Sequence, residues 1–192
     1  MEYFRFVAAV IELLIGCEAR YAIGGAFASS IYAEIRSTYD VDLTLQIAPA
    51  NAAKFIKAVL ERGWYITPGR VERAVLNGGD FQVIDCEIGL QAHCFCENLP
   101  GQKRSLERAL CLNLGDGLQA VMVMSPEDVI LYKLEWYRLG KSEKHLRDIG
   151  LMLTNLHETL EFDYVDRWVH ESSAEQRWRE LRQEYPKPDD QE

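Results

Sequence analysis

The stretch that most constrains this chain is Asp40-Val41-Asp42-Leu43-Thr44-Leu45, in which polar and aliphatic side chains alternate residue by residue. A period of two predicts a strand over 40–47, with Val41, Leu43 and Leu45 on one face and Asp40, Asp42 and Thr44 on the other. The aliphatic face belongs in a core. The two carboxylates, about 7 Å apart at their Cα atoms from the strand rise, then share one space on the opposite face. Like charges held that close repel unless a cation joins them. Paired oxygen donors suit Mg²⁺, which binds through one or two carboxylates together with substrate phosphates.

Upstream, Tyr21-Ala22-Ile23-Gly24-Gly25 predicts a short strand that ends in a tight turn, followed by a helix over 26–35. Backbone N–H groups of the glycine pair, with the helix N-terminus behind them, can receive phosphate oxygens. The order strand, Gly-Gly, helix, strand with Asp-x-Asp is far more specific than either motif alone.

The surroundings read as alternating helices and strands. Periodicity predicts helices over 4–18, 50–63 (opened by Pro49) and 69–76, a short strand over 64–67 and a strand over 118–124. Segments 81–86 and 90–96 predict a β-hairpin through Glu87-Ile88-Gly89, while 105–112 stays open between helix and strand. Then the character changes. Ser125-Pro126-Glu127-Asp128 is an N-cap serine, a first-turn proline and two acids at a positive helix terminus. It opens a helix from 126 to about 139, followed by helices over 142–156 and from about 164 to 185. The class is α+β: an α/β core over 1–124 and a C-terminal helical region over 125–192 packed on it.

With 192 residues, 48% apolar and 27% charged, the chain can build one large domain or a domain with a helical appendage. Thirty acids against 21 bases give a net charge of −9, which argues against non-specific binding to nucleic acid. The apolar stretch 6–16 is broken by Glu12 and too short to span a bilayer, and it lacks the pattern of a signal peptide. Five cysteines, an odd number without framework spacing, predict reduced thiols and a cytoplasmic protein. Cys94 and Cys96 share a strand face and read as small buried hydrophobes rather than metal ligands. Trp64, Trp136, Trp168 and Trp178 read as helix-packing residues. The run from Lys133 to Arg147 holds five bases against two acids, whereas 158–192 holds 11 acids against five bases.

The segment 23–43 resembles the signature of the polymerase-beta-like nucleotidyltransferase superfamily, a Gly-Gly or Gly-Ser turn before a paired-acid strand. Arg36, Thr38, Asp40 and Asp42 look like the R-x-T-x-D-[IV]-D form of its small bacterial members, which include abortive-infection toxin-type enzymes. The resemblance continues through Phe81-Gln-Val-Ile, Gly89-Leu-Gln-Ala-His93-Cys-Phe, Ser125-Pro-Glu-Asp through Arg138, and Arg147-Asp148-Ile.

This resemblance implies a mixed sheet flanked by helices, with Mg²⁺ (or Mn²⁺) held by Asp40 and Asp42. It also implies transfer of a nucleoside monophosphate from an NTP to a hydroxyl or similar acceptor, releasing pyrophosphate. Gly24 and Gly25 would cradle phosphate, and Arg36 and Thr38 would steady the loop or contact phosphate. Lys133 matches a triphosphate-contacting lysine, and Arg147 with Asp148 matches a recurrent pair; a helix-surface lysine and a structural ion pair are the competing readings. The third carboxylate of the family falls on His93. Neutral imidazole is a poor ligand for hard Mg²⁺ but suits a general base toward the acceptor. Asp85 and Glu87 lie at the hairpin turn. Asp85, opposite Leu90, would stand about 10 Å along the ladder from His93 and does not substitute. The competing function is a catalytically degenerate nucleotide-binding or toxin–antitoxin-type interaction protein; a third is a structural module whose acids are solvated. The acceptor stays open among a small molecule, a protein and tRNA, and the partner between a second copy and an antitoxin. No membrane association is expected.

Overall fold

A computed structural model describes residues 2–34, 39–115, 117–171 and 174–186; Arg36 and Thr38 lie outside them. The fold is α+β and divides into two compact units, residues 1–26 with 37–124, and residues 27–36 with 125–192.

The first unit is built on a mixed sheet. Its seven strands among the described residues are β1 (Arg20–Ile23), β2 (Asp40–Gln46), β3 (Tyr65–Ile66), β4 (Gly79–Asp85), β5 (Leu90–Cys96), β6 (Leu110–Leu112) and β7 (Val121–Val123). Their spatial order is β3-β4-β5-β2-β1-β7-β6. The central pair β2–β5 is parallel and β1–β2 antiparallel. Helices α1 (Glu2–Gly16), α3 (Pro49–Glu61), α4 (Pro68–Asn77) and α5 (Pro100–Glu107) complete this unit.

Alternation in β2 sorts the sheet faces as the sequence implies. Val41, Leu43 and Leu45 are at most 1% exposed, whereas Asp40 and Asp42 keep intermediate exposure. Register extends the apolar face through Phe81, Val83, Ala92, Cys94 and Cys96, all buried. Phe55 of α3 meets Phe81 with ring centroids 5.9 Å apart. Cys94 and Cys96 are core side chains; burial pushes the Cys94 thiol well up and Cys96 to about 11.

The segment 105–112 contains the end of α5 and then β6. The strand read over 118–124 is shorter, because Ala120 adopts a left-handed φ of 52° that interrupts extended backbone before Val121.

The second unit holds α6 (Pro126–Gly140), α7 (Glu143–Leu156), α8 (Phe162–Glu171) and α9 (Glu175–Glu184), with α2 (Gly25–Tyr32) running into it from Phe27. Ser125 caps α6 by accepting from the Asp128 backbone N–H at 3.3 Å. Asp128 is fully buried and accepts from the Tyr164 hydroxyl at 2.8 Å, while Glu127 accepts from the Glu161 backbone N–H at 3.1 Å. Ser-Pro-Glu-Asp thus both starts α6 and docks the start of α8.

The single helix expected from 164 to 185 is corrected to α8 and α9. Helix α8 ends at Glu171 and α9 begins at Glu175; Ser172 and Ser173 lie outside the described residues. Trp178 of α9 donates to Asp166 of α8 at 2.6 Å. In one continuous helix these positions would be about 18 Å apart.

Candidate active site

Strand β2 carries Asp40 and Asp42 on the face opposite the core. The parallel register sets Asp42 directly beside His93 of β5, and the antiparallel β4–β5 register puts Gln82 on the other side of His93. Asp80, two residues before Gln82 on the same face of β4, reaches diagonally to the imidazole. The side chains of Asp42, His93 and Asp80 are each about a third exposed, at 32%, 28% and 35%, so the cluster opens to solvent.

His93 links the two acids. Its Nε2 lies 2.9 Å from Asp80 Oδ2 and its Nδ1 lies 3.9 Å from Asp42 Oδ1. Behind Asp80, Arg70 of α4 donates from Nη2 to the same carboxylate at 2.7 Å and from Nε to the Asp80 carbonyl at 2.9 Å. The hydrogen bond from His93, followed by those from Arg70, holds the Asp80 carboxyl below the usual carboxylate range. Phe95 packs beside the imidazole, ring centroids 4.1 Å apart.

The glycine pair divides its labour. Gly25 has φ +60°, and a Cβ there would overlap the Asp42 carboxylate, so the turn and the acid are fitted to each other. Gly24 is different. Its N–H donates to the Asp42 carbonyl at 2.8 Å, extending the β1–β2 pairing, and its bare Cα accommodates Met124. The expectation that both glycines offer open N–H groups to phosphate is therefore corrected at Gly24, whose donor is already engaged. Gly25 sits at the N-terminus of α2.

The Tyr3 hydroxyl of α1 donates to the Asp40 carbonyl at 2.8 Å. Burial, then the charges of Asp40 and Asp42, raise its pKa, so the phenol stays protonated. Asp85 stands opposite Leu90, as read from the sequence, and is engaged at the turn. It accepts from the Glu87 N–H at 3.0 Å and from the Trp64 indole at 2.9 Å.

Sequence reasoning missed Asp80, Arg70 and Tyr3. Asp80 follows two glycines, and the strand read from Phe81 begins two residues earlier, at Gly79. Lys133 and Asp148 form a pair inside the second unit, Nζ to Oδ2 at 2.6 Å with side chains 6% and 7% exposed. Lys133 is thus not a surface lysine, and the carboxylate beside Arg147 in sequence pairs with Lys133, while Arg147 is exposed. Trp136, expected to pack, is 47% exposed.

Two carboxylates on one face beside a glycine that leaves them room suit a hard divalent cation. Among the described residues no three His, Cys, Asp or Glu side chains gather into a complete metal-binding group.

No protein-family model matches the chain, and no curated protein matches it. Solved structures do. The crystal structure of ANT(2″)-Ia in complex with adenylyl-2″-tobramycin aligns over 93% of this chain and 99% of that one, with TM-score 0.58 and 17% identity. The solution structure of the antibiotic-resistance factor ANT(2″)-Ia aligns over 91% of this chain and 89% of that one, with TM-score 0.54 and 14% identity. A nucleotidyltransferase-like protein from Paracoccidioides brasiliensis has TM-score 0.49 and 20% identity, covering 91% and 93% of the two chains. Identities this low speak to architecture alone: the chain has a nucleotidyltransferase fold, shared with ANT(2″)-Ia.

Proposed function

We propose that this protein transfers a nucleoside monophosphate from an NTP to an acceptor hydroxyl, using the face that carries Asp40, Asp42 and His93. The observation that carries the reading is the fit of the Asp42 carboxylate into space that only a glycine at position 25 leaves open. Asp40 and Asp42 would hold a divalent cation, Mg²⁺ or Mn²⁺, which when bound neutralises phosphate charge and polarises the α-phosphate. The turn at Gly25 and the start of α2 favour phosphate oxygens, since helix N-termini are electropositive. Tyr3 holds the Asp40 backbone in place through its carbonyl.

His93 stands where the resemblance puts a third carboxylate, and its imidazole accepts the proton of the acceptor hydroxyl as that oxygen attacks the α-phosphate. Pyrophosphate leaves with the bonding pair. The acceptor best matched is a small hydroxyl-bearing molecule. A net charge of −9 opposes a polyanion, and the complex of the structural neighbour with adenylyl-2″-tobramycin supports a small acceptor on this fold.

Asp42→Asn tests the reading. Calorimetry with an NTP analogue and Mg²⁺ should lose its metal-dependent heat while the circular dichroism spectrum stays unchanged. Unaltered binding by the variant overturns the assignment of the site.

A further inference from the structure

The replacement of a carboxylate by His93 is matched by a second acid that the family signature does not include. Asp80 Oδ2 is 2.9 Å from His93 Nε2. An ionised carboxylate has acceptors only, so the imidazole must donate its Nε2 proton and, when neutral, carry its lone pair on Nδ1. Nδ1 is the nitrogen on the Asp42 side of the ring, 3.9 Å from Oδ1. Asp80 is itself clamped, because Arg70 bonds both its carboxylate and its backbone carbonyl, at 2.7 and 2.9 Å. The same bonds keep the Asp80 carboxyl ionised, below its ordinary range.

We propose that Asp80 is a positioning residue that fixes the His93 proton on Nε2 and aims the Nδ1 lone pair at the reacting centre, so that the pair stands in for a third carboxylate. The chemical use of that lone pair rests on the transfer reading given above; the fixed tautomer does not. In the step itself the acceptor O–H proton passes to Nδ1 and its electron pair closes the O–P bond. The bond from the α-phosphorus to the bridging oxygen breaks, and its pair leaves with pyrophosphate. The resulting imidazolium keeps its Nε2 proton on Asp80, whose charge stabilises it, and then returns the Nδ1 proton to solvent.

The test reads the tautomer directly. Protein labelled with ¹⁵N in histidine is measured without nucleotide or metal, at a pH well above the ordinary imidazole value, with His93→Gln assigning the resonances. The wild type should show a protonated Nε2 and a bare Nδ1 at His93. Asp80→Ala leaves the ring without this acceptor and should let the proton exchange between Nε2 and Nδ1, whereas Asn would still present its carbonyl oxygen, because Arg70 and His93 bond the same Asp80 Oδ2; Asp80→Glu, acceptor-only, should retain it on Nε2. A wild-type ring protonated on Nδ1 or mixed overturns the proposal, as does an Ala variant with the wild-type pattern. Should Asp80→Ala fail to fold, the wild-type and Glu spectra decide. With NTP, Mg²⁺ and acceptor, Asp80→Ala should lower kcat roughly 10²-fold with little change in KM. In a His93→Asp background, where no imidazole remains to be oriented, the same substitution should no longer lower kcat; an undiminished loss there assigns Asp80 a merely structural part and overturns the proposal. If the wild type releases no pyrophosphate from any NTP, the transfer reading fails, while the nitrogen spectra still decide the part played by Asp80.

Discussion

A methyl group separates two very different outcomes at neighbouring glycines. At position 25 an added Cβ must occupy the space of the Asp42 carboxylate while the backbone holds φ +60°, where side chains are strained. At position 24 the same Cβ meets the Met124 Sδ at 2.8 Å, the far end of a flexible side chain. Gly25→Ala is therefore expected to lose about 1–3 kcal/mol of stability in urea denaturation, together with nucleotide binding; Gly24→Ala should lose less of both. The reverse ranking would show that the Gly25–Asp42 fit does not govern the site. Asp80 gives a pH signature at the same scale. Its folded pKa is depressed, first by the hydrogen bond from His93 and then by Arg70, so its contribution to stability is complete above the unfolded carboxyl value, about 3.9, and is lost as pH falls through the folded value. Asp80→Asn should flatten the stability profile below about pH 4, and acid limbs of equal steepness would mean that the bonds to His93 and Arg70 contribute nothing. Neither Asp80 nor Arg70 was legible in the sequence, since their meeting depends on a diagonal across β4 and β5 that only register fixes.

At the scale of elements, legibility followed periodicity. Strand β2 and its buried face could be read because polar and aliphatic residues alternate without a break over Asp40–Gln46, although Thr44 is buried too, and the α6 start could be read because Ser125, Pro126 and two acids act locally. Local signals failed where tertiary contacts decide. The helical pattern through 164–185 continues across the break between α8 and α9, and what packs the two helices on each other is the Trp178–Asp166 bond and the Phe162–Trp178 ring contact at 6.3 Å. Trp178→Ala should cost about 3–5 kcal/mol, as for other buried tryptophans, seen as a lowered denaturation midpoint; a cost below 1 kcal/mol would count against that packing. The resemblance alone matched Lys133 to a triphosphate-contacting lysine, and nothing in the sequence shows that its amine finds Asp148. Lys133→Ala strands a buried carboxylate and should lose about 3–5 kcal/mol. Replacing both partners together, Lys133→Met with Asp148→Leu, should restore most of that stability. A double variant as unstable as the single one would sink the ion-pair explanation.

Over the whole molecule, charge decides which acceptors the proposed transfer could use. Thirty acids and 21 bases leave −9, and the one basic run, Lys133 to Arg147, is weaker in the folded protein than its composition implies. Of its five bases, Lys133 is buried on Asp148 at 2.6 Å and Arg138 is bound to Glu135 at 2.6 and 2.8 Å. Glu135 is already one of the two acids in the run, whereas Asp148 lies outside it, so the Lys133–Asp148 pair lowers the net charge that an RNA backbone would meet from +3 to +2. Binding of RNA by counterion release needs several phosphates neutralised at once. Labelled tRNA should therefore show no saturable anisotropy change, even at about 50 mM salt, where polyanion binding is strongest. A saturable, salt-sensitive rise would place the acceptor among nucleic acids and overturn the small-molecule assignment, while leaving the chemistry at Asp40 and Asp42 untouched. Reversing Lys141, Lys144 and Arg147 to glutamate would then separate a real patch from non-specific contact, because only binding through this run loses its salt slope with those charges.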